Sequence, residues 1–156
     1  LCIQAGTLLF TFVYSFFKPI VAQNLYEGLN LYPLLQQDVW FYGGIVTLIL
    51  SIAILKAQLF YIMIRIFLKI DLIHPFSKEI AKLISTLSYI AFEIGIFLAM
   101  ASGCADWLIK RSFELEGLQS YLSGAFEYFL LSALIFAIAQ VFKRGVEIQA
   151  ENELTV

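Results

Sequence analysis

The sequence predicts an all-α integral membrane protein, a four-helix bundle with its N- and C-termini both in the cytoplasm. Three observations carry that expectation. Apolar residues make up 61% of the 156 positions and the mean hydropathy is +0.86, against roughly 45–50% apolar residues in soluble domains. Long runs such as WFYGGIVTLILSIAILKAQLFYIMIRIFL lack the polar face that a water-facing helix needs. Most cations stand at the ends of those runs, where they meet headgroups. A lipid bilayer is therefore the first partner implied.

The first helix is expected over about 1–17, slightly short of the usual twenty residues, as for a helix lacking its opening turn. In the segment that follows, NLYEGLNLYPLLQQDVW, Leu25, Leu29, Tyr32, Leu35 and Val39 recur at spacings of three and four. This fits a short helix on the membrane surface, a cap over a pocket, or a packed connection. The second helix is expected over about 39–68, long enough at 1.5 Å per residue to cross about 30 Å of hydrocarbon with some tilt. The third is expected over about 77–108, where Pro75 blocks backward extension, Ser77 is the N-cap and Glu79 lies in the first turn. The fourth is expected over about 120–142. Tyr121, Phe126 and Tyr128 stand at one end of it and Lys143 and Arg144 at the other, and these aromatics, like Trp40, Phe41 and Tyr42, read as interfacial belts. The tail from 143 to 156 follows, with Gly145 releasing it from the helix axis.

Arg65, Lys69, Lys78, Lys82, Lys143 and Arg144 flank the runs on one side, and Lys18, Lys110 and Arg111 on the other. That bias places the first group, and both termini, in the cytoplasm. Lys143 and Arg144 then hold the fourth helix at a negatively charged inner leaflet.

Several function classes lose support at this level. The net charge of -2 and the scattered cations argue against direct nucleic-acid binding. Cys2 and Cys104 are far apart with no CxxC, so neither a disulfide framework nor a thiolate metal site is indicated. His74, the single histidine, precedes Pro75 and reads as a turn residue rather than a metal ligand. Ser51, Ser85, Ser88 and Ser132 have no histidine for a nucleophilic relay and are expected to bond helix carbonyls. No GxGxxG or GxxxxGKS pattern supports nucleotide chemistry. No cofactor, no metal and no enzymatic activity are expected.

Three ionisable residues fall within the spans: Lys56, Glu93 and Glu127. A charge at mid-bilayer costs a few kcal/mol and so finds protein, water or a partner. Lys56 lies thirteen residues before Lys69 and Glu93 eleven after Lys82, so both stand near mid-membrane on adjacent antiparallel helices and suggest a pair. Glu127 lies nearer the outer face. Two readings stand, a proton or solute site and a neutralised structural pair. Ala91, Gly95, Ala99 and Gly103, spaced by four, form a stripe suited to close helix approach or to a homodimer. Glu93 lies about 200° around the helix from that stripe and meets a different neighbour.

HPFSKEIAKL and FKRGVEIQAENELTV resemble the hairpin start and the closing basic-Gly-Val, acidic and Leu-Thr-Val stretch of domain-of-unknown-function family 2975. The motif resemblance covers about 71–156 and the earlier half only by hydropathy. His74 for Asn, Ser77 for Thr and Glu153 for Asp are mild departures. The resemblance implies a four-helix inner-membrane protein of bacteria, often encoded beside a small helix-turn-helix regulator, and it brings no catalytic residues. On that basis the tail acquires a second role. Glu147, Glu151 and Glu153, with Ile148, Leu154 and Val156, suit docking to a basic partner, folding back near Lys78 and Lys82, or plain solvation. The leading expectation is a regulator acting with a cytoplasmic transcription factor. A small transporter using Lys56, Glu93 and Glu127, or a purely structural bundle, are the competing classes.

Overall fold

The computed structural model describes residues 1–26, 28–70, 76–111, 113 and 117–153, with backbone alone at Ser120, Asn152 and Glu153. Expectations for His74, Pro75, Leu154 and Val156 lie outside the described residues. Among those residues the secondary structure is all helical: α1 (Cys2–Ser15), a 3-10 helix (Pro19–Asn24), α2 (Tyr32–Gln37), α3 (Val39–Lys69), α4 (Lys78–Ile109), α5 (Leu118–Tyr121) and α6 (Ala125–Glu153). Three of these are long and apolar enough to cross a membrane: α3, α4 and α6 up to Glu151. With 31, 32 and 29 residues, they extend about 43–48 Å, longer than a roughly 30 Å hydrocarbon layer is thick. The 14 residues of α1 reach only about 21 Å.

The chain divides into two compact units, Leu1–Ala57 with Ile94–Ala125, and Gln58–Glu93 with Phe126–Val156. In the first, α1 is tied to α3 by Ser15 and Tyr42, both fully buried, with their oxygens 2.7 Å apart. Tyr42 is therefore no part of an interfacial belt. It faces protein, whereas its neighbour Trp40 is 90% exposed. Asp38 Oδ1 accepts from the N–H groups of Trp40 (2.8 Å) and Phe41 (3.2 Å), an N-cap that satisfies two of the orphan donors opening α3.

The connecting segment between α1 and α3 is packed. Leu25, Leu29, Leu31, Leu34 and Leu35 are all buried, and Leu31 N–H donates to the Ala22 carbonyl at 2.9 Å. Gly28, at φ +86°, makes the turn in a conformation L side chains resist, and Asn24 Oδ1 accepts its N–H at 3.0 Å. The leucines point into the unit, as the packed-connection reading expects. Backbone irregularity so close to a bilayer is tolerated when protein covers it and satisfies its polar groups.

In the second unit α4 and α6 run antiparallel. Phe92 meets Phe129 with ring centroids 5.5 Å apart, and Phe76 meets Phe142 at 5.4 Å. Between these contacts Ser132 Oγ donates to the Ser88 carbonyl at 2.9 Å. Ser77 caps α4 as expected, its hydroxyl accepting the N–H of Ile80 at 3.2 Å. Lys69, at the end of α3, pairs with Glu79 in the first turn of α4.

The last helix differs from expectation at both ends. Residues 118–121 form the separate α5, and Gly124, at φ +100°, breaks the path before α6 begins at Ala125. At the other end no free tail starts at 143, because α6 continues through Gly145 to Glu153. Gly145 is not a hinge. Its missing side chain makes room for the Phe76 ring, since a Cβ there would lie 2.7 Å from Phe76 Cε1. The flanking Lys143, Arg144 and Glu147 are good helix formers, and Arg144 bonds Glu147 at 2.7 Å one turn on.

Candidate functional site

Buried positions of α3 include Tyr42, Ile45, Ile49, Ile52 and Leu59, with Val46, Ala53 and Ile62 beside them; the first five follow a three-four alternation in which Lys56 takes the place between Ile52 and Leu59. Lys56 is accordingly half-buried on the packed side of its helix. It belongs to the first unit, and Glu93 and Glu127 belong to the second. Both acids are exposed. Glu127 is the third residue of α6, where a carboxylate is favoured by the helix dipole whatever else it does.

The small-residue stripe is split by its surroundings. Ala91 and Gly95 are buried, but Ala99 and Gly103 are exposed, and a Cβ added at Gly103 would meet nothing within 4 Å. The side of α4 that packs is a different one: Ile80, Ile84, Leu87, Ala91, Ile94, Leu98, Ala101, Ala105 and Leu108 are all buried, alternating by four and three. Such a seam suits neighbours crossing at a shallow angle, with alanines where backbones come close. Ala99 and Gly103 instead open on an apolar groove of about 710 Å³ in the first unit, with Trp40, Gly44, Leu48 and Trp107 on its walls. Phe41 and Trp107 meet edge to face at 5.4 Å, and Arg111 lies over the Trp107 ring at 3.9 Å.

Beyond Lys143 and Arg144, α6 presents Glu147, Ile148 and Glu151 on an exposed helical surface. The tail residues Glu147 and Glu151 are thus held on a rigid element, and Glu153 closes it. Ten residues at 1.5 Å each carry the acids about 15 Å past Lys143.

The serines weighed as nucleophiles are each engaged with a carbonyl. Ser51 donates to Thr47 at 2.8 Å, Ser85 to Ala81 at 2.9 Å and Ser88 to Ser85 at 2.7 Å. Among the described residues no buried side-chain nitrogen or oxygen is left without a partner, and no group of three or more His, Cys, Asp or Glu is placed to hold a metal ion.

Sequence reasoning missed three features. The Asp38 cap was legible, since Asp directly before an apolar run is a helix-start signal. The Ser15–Tyr42 bond joins residues 27 apart and carries no local signature. Lys78 and Lys82, spaced i,i+4, share a face of α4 and line a groove with Lys143 of α6, yet their positions show only a topology signal until the two helices are paired.

Residues 18–156 match the family described as Protein of unknown function (DUF2975). The match takes in the connecting segment and α3, so it extends beyond the 71–156 region that the motifs alone pointed to, and it leaves α1 outside. No curated protein and no solved structure matches the chain. Because the matched residues are all but the first seventeen, the chain belongs to the DUF2975 family.

Proposed function

We propose that this protein is a non-enzymatic regulator of the bacterial inner membrane, a multi-pass four-helix bundle that holds or releases a cytoplasmic helix-turn-helix transcription factor. The observation that carries the reading is the extension of α6. A membrane anchor needs its helix only as far as Lys143 and Arg144, whereas this one continues as a helix to Glu153 with Glu147 and Glu151 exposed. A rigid acidic rod past the headgroups suits a basic partner surface, with charge fixing orientation and Ile148 supplying apolar contact. The class of partner comes from the family resemblance alone.

The cytoplasmic placement of both termini is supported by charge. Arg65, Lys69, Lys78, Lys82, Lys143 and Arg144 all belong to the second unit, and Lys18, Lys110 and Arg111 to the first. α1 is the fourth member of the bundle on this reading, locked to α3 through Ser15 and Tyr42. Full-length protein purified from its own cells, and the same protein truncated after Phe142, provide the test. A DNA-binding protein recovered with the first and not the second supports the proposal. Recovery of none with either rejects it.

A second reading is favoured by the position of Lys56 on the packed side of α3: a small transporter or ion-coupled binder that draws on the ionisable groups Lys56, Glu93 and Glu127. Solute or proton flux in proteoliposomes that Lys56→Met with Glu93→Gln leaves unchanged would dispose of it. A homodimer through the exposed part of the small stripe, at Ala99 and Gly103, is compatible with either reading.

A further inference from the structure

We infer that the second unit carries a site for one acidic phospholipid, running along the flank of the α4–α6 pair. At its polar end is a groove of about 400 Å³ lined by Lys78 and Lys82 of α4 and Lys143 of α6, with Ser85 and Tyr89 on its walls. Among the described residues, three ammonium groups share that groove with one carboxylate, Glu147, and Arg144 already bonds Glu147 at 2.7 Å. The described lining of the groove is therefore net positive, the electrostatic complement of a phosphate diester.

What lies beyond the groove selects a lipid over a free anion. Tyr89 also lines a second, apolar furrow of about 300 Å³, walled by Phe92, Phe129, Ala133 and Phe136. One side chain thus joins the basic groove to a trough fit for an acyl chain. From Lys78 to Phe92 is fourteen residues of one helix, or about 21 Å. That is the depth of one leaflet with its headgroups, since half of a 40–45 Å bilayer is about 20–22 Å. The seam beneath is fixed by the Ser132–Ser88 hydrogen bond and the Phe92–Phe129 contact, so the site is preformed. It does not depend on which protein the end of α6 meets.

The test is native mass spectrometry of the full-length protein in detergent, offered equimolar phosphatidylglycerol and phosphatidylcholine. One phosphatidylglycerol should be retained at least about tenfold better than phosphatidylcholine, and Lys82→Gln with Lys143→Gln should remove most of that preference. Lys82→Arg with Lys143→Arg should keep it, and so should Lys110→Gln, which alters a cation of the first unit. Ala133→Phe narrows the furrow without touching a charge and should also weaken retention, which keeps the proposal testable if the glutamine variant does not fold. Equal retention of the two lipids would overturn the inference, as would a preference that survives the glutamine variant. Displacement of the lipid by millimolar inorganic phosphate would assign the groove to a free anion instead.

Discussion

Ser132 donates its hydroxyl to the carbonyl of Ser88, 2.9 Å away on the facing helix, and both serines are buried. It is a hydrogen bond between two helices that otherwise meet through aromatic rings and small residues. In lipid there is little hydrophobic drive to hold helices together, so such a bond matters beyond its number.

Ser132→Ala should lower the stability of the detergent-solubilised protein by about 0.6 kcal/mol, up to about 1.7. Ser88→Ala should cost less, since its carbonyl stays in place and only the local bond to Ser85 is lost. Thermal unfolding followed by circular dichroism compares the two. A larger loss for Ser88→Ala would contradict the assignment of the interhelical bond to the Ser88 backbone carbonyl rather than to its side chain.

The pair Ser15 and Tyr42 makes an asymmetric prediction. Ser15 already donates to the Phe12 carbonyl at 2.6 Å, so its single proton is used and Tyr42 must donate to Ser15. Ser15→Ala strands a buried phenol donor and should cost about 1–3 kcal/mol. Tyr42→Phe leaves only a hydroxyl lone pair unfilled and should cost less. Equilibrium unfolding of both variants measures the difference, and equal losses would mean the pair is not a donor–acceptor couple of this sense.

Gly145→Ala is expected to destabilise, because its Cβ would fall 2.7 Å from Phe76 Cε1. In a Phe76→Ala background the same change should stabilise by up to about 1 kcal/mol, since alanine is the better helix former. The sign reversal in a double-mutant cycle is the signature. A hinge at Gly145 would instead make Gly145→Ala harmful, or neutral, in both backgrounds.

Gly103→Ala separates an open face from an occupied one. With nothing within 4 Å of an added Cβ, the monomer should gain up to about 1 kcal/mol from helix propensity. If a second copy packs there, the same substitution should weaken self-association measured by crosslinking in the membrane.

The long spans were legible because hydropathy and punctuation agree along them. α3 and α4 begin and end within a residue or so of their expected limits, at Asp38 and Ser77 on one side and near Lys69 and Trp107 on the other. α6 was harder. A glycine after a basic pair looks like an exit from a helix, and only the ring of Phe76 lying against Gly145 explains why it is not. The spacing of small residues also misleads, because four apart and alternately three and four apart differ by a slow drift around the helix. The second pattern, from Ile80 to Leu108, is the one that is buried. Lys78, Lys82 and Lys143 read as markers of orientation until the pairing of α4 with α6 turns them into one groove.

Both proposals require a chain threaded through the membrane with the end of α6 in the cytosol. A single cysteine at Glu151→Cys, with the exposed Cys2 and Cys104 changed to serine, tests it through a membrane-impermeant maleimide. Labelling is expected in inside-out vesicles and not in intact spheroplasts. Labelling in intact spheroplasts would contradict it.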